Sequence, residues 1–198
     1  MSKIEVDAIE PQSGTSLTLG ASGDTITIPS GATLTNSGTA TGFGKVLQVV
    51  STTKTDTFST NSASPTFADV TGLSVSITPS SASNKILVLA SYNLGVNDAN
   101  FSYSRLVRDS TAVFIGDAST NRVLASNMCF ENDSNNGVAG SINVMYLDSP
   151  ATTSSTTYKI QACTTGTTVY VNRSGRDSAS TVSDGRFASS ITAIEIAG

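Results

Sequence analysis

No histidine occurs among the 198 residues. Ser-His-Asp and Cys-His nucleophilic arrangements, and the commonest zinc sites, therefore cannot be built from this chain. The two cysteines, Cys129 and Cys163, stand in apolar neighbourhoods without the paired spacing of a metal site. They read as buried free thiols, and their spacing does not decide whether a disulfide could join them. Carboxylates are the remaining catalytic candidates. Cleavage of a glycosidic bond needs two of them flanking the bond, about 5–9.5 Å apart. Asp98, Glu131, Asp133 and Asp184 are available, but each falls in a predicted loop, where a solvated charge is the ordinary role.

Two motifs resemble ligand sites and fail on chemistry. Glu131-Asn132-Asp133-Ser134-Asn135-Asn136-Gly137 alternates oxygen ligands as a calcium loop does. Its glycine comes one position late, and no bidentate Glu follows at the twelfth. A polar turn between strands is the simpler role. Gly20-Ala21-Ser22-Gly23 lacks the lysine and the helix of a phosphate cradle, so it is a turn. Neither catalysis, a cofactor nor a metal is expected.

The remaining polar chemistry is that of recognition. Three predicted loops are rich in Asn, Asp, Ser, Gly and Arg: Asn97–Asn100, Asn127–Gly140 and Asn172–Arg186. Within them Asp98, Asn100, Asn132, Asp133, Asn135, Arg173 and Arg176 are the candidate contact residues. With Tyr92, Tyr103 and Tyr170 they have the composition of adaptable surfaces that read glycans or proteins. Loops of this kind also simply connect strands. Arg173 and Arg176 are suited to carboxylates, of a partner or of a neighbouring subunit.

What must position these residues is β-structure. Ser and Thr make up roughly three residues in ten, charged residues only 13% and aromatics 6%, with no Trp. Short, branched and hydroxylated side chains suit strands and turns. The net charge of −4 provides no basic footprint for a phosphate backbone, so nucleic acid is not an expected partner. No apolar run approaches the roughly 20 residues of a membrane span. The first residues carry no secretory signal pattern, so synthesis in a cytoplasm is expected.

The composition shifts near residues 42–45, dividing a stem at 1–44 from a knob at 45–198. In the stem, apolar doublets alternate with turn residues. Leu17-Thr18-Leu19 precedes Gly20, Ile26-Thr27-Ile28 precedes Pro29, and Ala32-Thr33-Leu34 precedes Asn36. The pattern predicts short strands separated by glycine turns. Strands so short bury too little apolar area to offset backbone entropy on their own. Leu17, Leu19, Ile26, Ile28 and Leu34 are therefore expected to assemble against other copies.

In the knob, Leu73, Val75 and Ile77 alternate with hydroxyls up to Pro79. The stretch Lys85–Gly95 places Ile86, Val88, Ala90, Tyr92 and Leu94 on one face. Leu87 and Leu89 make the start of its other face apolar, which predicts a strand covered on both sides. Further strands are expected at Val46–Ser51, Phe101–Arg108, Ala112–Ile115, Ser141–Leu147, Tyr158–Ala162, Val169–Val171 and Ser190–Ile196. The sum is an all-β, two-sheet sandwich or jelly roll.

Several segments carry a family resemblance. Ile4-Glu5-Val6-Asp7-Ala8-Ile9-Glu10-Pro11 and Asp24-Thr25-Ile26-Thr27-Ile28-Pro29-Ser30-Gly31 resemble the N-terminal region of tail-fibre or virion structural proteins of environmental bacteriophages. Val46-Leu47-Gln48-Val49-Val50, Ser83-Asn84-Lys85-Ile86-Leu87-Val88, Arg105-Leu106-Val107-Arg108-Asp109 and Ile191-Thr192-Ala193-Ile194-Glu195-Ile196 are similar to their appended domain. The resemblance implies a virion component whose knob is a homotrimeric jelly roll of the tumour-necrosis-factor and C1q-like kind. A tail fibre that joins other virion proteins through its stem and touches a host-surface glycan or protein is the expectation. The alternatives are a head fibre or capsid decoration protein and, from another class, a small glycan-processing tailspike.

Overall fold

Strand-forming runs meet their partners across long sequence separations in the computed structural model, which describes residues 9–11, 13–33, 35–38, 45–96, 100–130, 139–180, 182 and 184–198. Two compact units result, Met1–Phe43 and Gly44–Gly198. Among the described residues all regular structure is β, in eleven strands, and no helix is long and apolar enough to cross a membrane.

The second unit is a two-sheet sandwich. One sheet contains β1 (Val46–Lys54), β2 (Phe58–Thr60), β4 (Lys85–Val96), β8 (Ala139–Asp148), β10 (Val169–Val171) and β11 (Ser189–Ile196). The other contains β3 (Ala68–Ile77), β5 (Phe101–Arg108), β6 (Thr111–Val113), β7 (Asn127–Phe130) and β9 (Thr156–Thr164). The main orders are β1-β11-β4-β8 and β3-β9-β5-β7, all antiparallel. The chain switches sheet at β2–β3, β3–β4, β4–β5, β7–β8, β8–β9 and β9–β10, which is a jelly-roll winding.

Period-two side chains explain the core. Leu73, Val75 and Ile77 of β3 share one buried cluster with Ile86, Val88, Tyr92 and Leu94 of β4. Leu106, Tyr158, Ile160 and Ile191 close the layer. Several polar groups taken inside are firmly bonded. Tyr92 Oη meets Ser104 Oγ at 2.8 Å, and burial pushes the phenol up to about 12. Asp148 accepts two bonds from Arg108 Nη1, at 2.8 and 2.9 Å, and one from Tyr158 Oη at 2.6 Å.

The outer faces of the two sheets differ. The sheet of β3, β9 and β5 presents a polar lattice. Lys159 Nζ and Gln161 Nε2 donate to Asp69, Arg105 Nε donates to Gln161 Oε1, and Ser76 Oγ meets Thr157 Oγ1. The other sheet presents an apolar row across four strands, Val49, Ile194, Leu87 and Leu147 in direct register. Leu87 and Leu89 are only half-buried in the single chain. The two-sided burial expected of β4 is therefore met on its inner side alone.

The first unit departs from expectation too. Its described residues form no strand ladder, and Leu17, Leu19, Ile26 and Ile28 are 47–59% exposed. The turns form as expected. Asp24 N donates to Ala21 O at 3.0 Å and Ala32 N to Pro29 O at 3.1 Å. In each, glycine takes the third position with positive φ, 95° at Gly23 and 86° at Gly31, as a type II turn requires. Leu34 lies outside the described residues.

Candidate functional site

Register fixes where the predicted contact loops attach. Val46, Lys85 and Ile196 pair at one end of the sandwich, which we call the base. Val96 pairs with Val169, Gly95 with Ala139 and Phe101 with Phe130 at the opposite end, the tip. The strands flanking 97–100 and 131–138 thus end at the tip. The connection from β10 to β11 leaves at Val171, opposite Leu94 and two residues from the tip residue Val96, and re-enters at Ser189, opposite Lys54. Antiparallel pairing has collected segments remote in sequence at one end.

Asp98, Asn132, Asp133 and Asn135 lie outside the described residues, as does the calcium-like stretch. Asn100 is half-buried, with its side chain against Gly166. Arg173 and Arg176 are engaged within their own loop. Arg176 forks onto Asp184, with Nε 3.0 Å from both carboxylate oxygens and Nη2 2.6 Å from Oδ1. Ser178 N donates to the same carboxylate at 2.5 Å. The Arg176 guanidinium and this amide hold the Asp184 carboxyl below its ordinary range. A carboxylate so held is an ionised acceptor, the opposite of a general acid. Arg173 pairs with Asp177 at 3.2 Å, Arg186 reaches the same Asp177 at 2.6 Å, and the Arg173 guanidinium lies 4.1 Å over the Tyr170 ring. These pairs stiffen the loop from inside.

Asn172, read as the start of a contact loop, is fully buried. Its side-chain amide donates to Lys54 O and Asp56 O at 2.9 and 3.0 Å, and its Oδ1 accepts from Ser189 Oγ at 2.5 Å. It joins β10, β11 and the end of β1. Tyr92 is likewise a core residue.

The tip carries a feature that the sequence reading missed. Asn127–Phe130, taken as loop, is strand β7, and it pairs with the start of β5. Phe101, Tyr103, Met128 and Phe130 share the outer face there, with Phe101 opposite Phe130 and Tyr103 opposite Met128. The Phe101 and Phe130 rings stack at 4.6 Å and 25°, and Tyr103 continues the row at 6.4 Å from Phe101. Phe101, Met128 and Phe130 are 37%, 50% and 44% exposed. The alternation Asn127, Met128, Cys129, Phe130 was the available signal, obscured by the Asn-rich stretch that follows.

The cysteines fall on opposite faces of the second sheet. Cys129 is opposite Ser102 and its Sγ points inward, 3.6 Å from Leu94 O; Cys163 is opposite Tyr103. No disulfide joins them; Cys129 is half-buried and Cys163 buried, and burial pushes the Cys163 thiol up to about 11. Among the described residues no group of three His, Cys, Asp or Glu converges as a metal site would require.

No family model and no curated protein matches this chain. Among solved structures, a chain of "Structure of infectious bursal disease virus Gx strain" is similar at 12% identity and a TM-score of 0.36, covering 75% of this chain. This chain spans 37% of that one, and a likeness so slight carries none of the argument below.

Proposed function

We propose that this protein is a non-enzymatic structural component of a virus particle, a homotrimeric bacteriophage tail fibre. Residues 1–44 attach it to other virion proteins, and the sandwich is the knob that meets the host surface. The observation that carries this reading is the first unit. Its aliphatic residues Leu17, Leu19, Ile26 and Ile28 stay about half-exposed between well-formed turns, in a segment whose described residues form no ladder of their own. Such a segment gains a core only by stacking on further chains. The half-exposed aromatic row at the tip supports the contact role. Aromatic side chains at the centre of a surface patch are the usual anchors of recognition, and many copies on one particle would add weak contacts into firm attachment.

Light scattering of the purified full chain tests the assembly. The expected mass is three times the 20.2 kDa protomer; a monomer at micromolar concentration would sink the reading. Labelled particles imaged whole test the location. Tail density is expected, whereas label on the shell would make the same assembly a head fibre or decoration protein.

A further inference from the structure

The outer face of the β1-β11-β4-β8 sheet is built unlike any surface meant for water. Val49, Ile194, Leu87 and Leu147 form one row in register, flanked by Val46 and Ile196 toward the base and by Leu89 and Met145 toward the tip. Val46, Val49, Met145 and Leu147 are 58%, 59%, 71% and 49% exposed. An antiparallel sheet with one face on the core ordinarily alternates to polar on the other. The β3-β9-β5 region of the opposite sheet does so, with Asp69, Lys159, Gln161 and Arg105 outward; its apolar outer residues gather at the tip, around Phe101 and Phe130.

From the base toward the tip the apolar face gives way to Thr53, Ser190, Ser91 and Asn143, then Asn93 and Ser141. An open depression of about 410 Å³ lies at that boundary, lined by Leu89, Ser91, Asn143, Met145, Ser190 and Thr192. We infer that this face is the surface through which copies of the chain pack on one another, dry at the base and wet toward the tip. The inference rests on the assembly reading above and names the surface that serves it.

Three observations select a further copy as the occupant. First, Lys85 is the only charged residue among the outward positions of these four strands. An uncharged patch can be brought beside its own copies around a three-fold axis without like charges colliding, whereas a dissimilar partner is ordinarily matched by complementary charge. Second, the apolar part begins at Val46, three residues along the chain from the end of the first unit at Phe43, so covalent connection keeps it within reach of other copies joined through that unit. Third, the size suits it. Four strands at about 4.8 Å spacing and ten residues at about 3.4 Å make a face of roughly 600 Å² before side-chain relief. A standard interface buries about 800 Å² per partner, with an apolar centre and a polar, hydrated rim.

The test uses the full chain with Met145→Cys, and Ser76→Cys on the polar sheet as the exposed reference. Reaction with a maleimide dye is followed, with the unsubstituted protein as blank for Cys129 and Cys163. Position 145 should label at least tenfold more slowly than position 76. Adding Val49→Glu and Leu147→Glu, which the single chain tolerates because both sites face outward, should restore fast labelling with the circular dichroism spectrum unchanged. An oligomer in which position 145 labels as fast as position 76 overturns this interface and leaves the assembly reading standing. Fast labelling in the purified oligomer but protection in the particle also overturns it, in favour of another virion protein. A monomeric chain removes both.

Discussion

Glu195 shows how a polar residue is made safe inside this sandwich. It is 2% exposed on the inner side of β11, and among the described residues its bonded partners are the uncharged Asn84 and Ser80. Burial alone would push its carboxyl up. Asn84 Nδ2 at 2.7 Å, Ser80 N at 2.6 Å and Ser80 Oγ at 2.8 Å all donate to Oε1, and together they hold it below its ordinary value of 4.5. These bonds fasten the 78–84 turn to the last strand. A lowered folded-state value means that the stabilisation is complete above pH 4.5 and disappears as pH falls through the folded value. Glu195→Gln should flatten the acid side of the stability profile. Glu195→Ala should cost about 2–4 kcal/mol at neutral pH by stranding buried donors. Urea melts at several pH values measure both; equal acid slopes for wild type and Glu195→Gln would rule this account out.

At the scale of the element, period-two alternation made the long strands legible before any coordinates. Leu73–Thr78, Lys85–Gly95 and Ser190–Ile196 each sort cleanly into inner and outer sets, and they became β3, β4 and β11. The short strands β2 and β7 were not legible. Unlike the equally short β10, whose Val-Tyr-Val run is all strand-forming, they sit among Ser, Thr and Asn, and their extended shape comes from partners distant in sequence, β10 for one and β5 for the other. The stem gave the reverse result. Its turns are local chemistry and form, while its expected strands need neighbours and do not appear among the described residues of one chain. The candidate site was harder still. Asn172 and Arg176 had the right composition for contact, but composition does not reveal that their bonds are spent on Lys54 O and Asp184.

One close approach shows how the tip depends on such packing. A Cβ on Gly95 would lie 2.5 Å from Arg173 O and 3.2 Å from Gly175 N, both backbone atoms. Gly95→Ala must therefore push the loop after β10 away from β4, at a cost of about 1–3 kcal/mol. Faster proteolysis within 173–188, with the rest of the sandwich intact, is the expected result. An unchanged cleavage pattern and melting curve would show that the loop yields without cost.

For the whole molecule, the two ends of the chain's design predict separable failures. Ile26 and Ile28 are 59% and 49% exposed, and no residue of the sandwich core is among them. Replacing both with Asp should leave the knob's melting transition in place, because the 155-odd residues of the second unit carry their own core. The charges would instead repel where stems stack, so particles should assemble without this protein. Phe101→Ala with Phe130→Ala should act in the opposite sense. Removing the stacked pair takes away exposed aromatic area at the tip and little core, so the protein should enter particles at wild-type copy number. Those particles should adsorb to host cells about tenfold or more weakly, the loss expected of removing recognition anchors. Counting the protein in purified particles and measuring adsorption rates for both variants separates the two roles. Normal incorporation of the Asp variant would remove the stem as anchor, and normal adsorption of the Ala variant would remove the tip as contact. Each half of the reading thus stands or falls on its own residues.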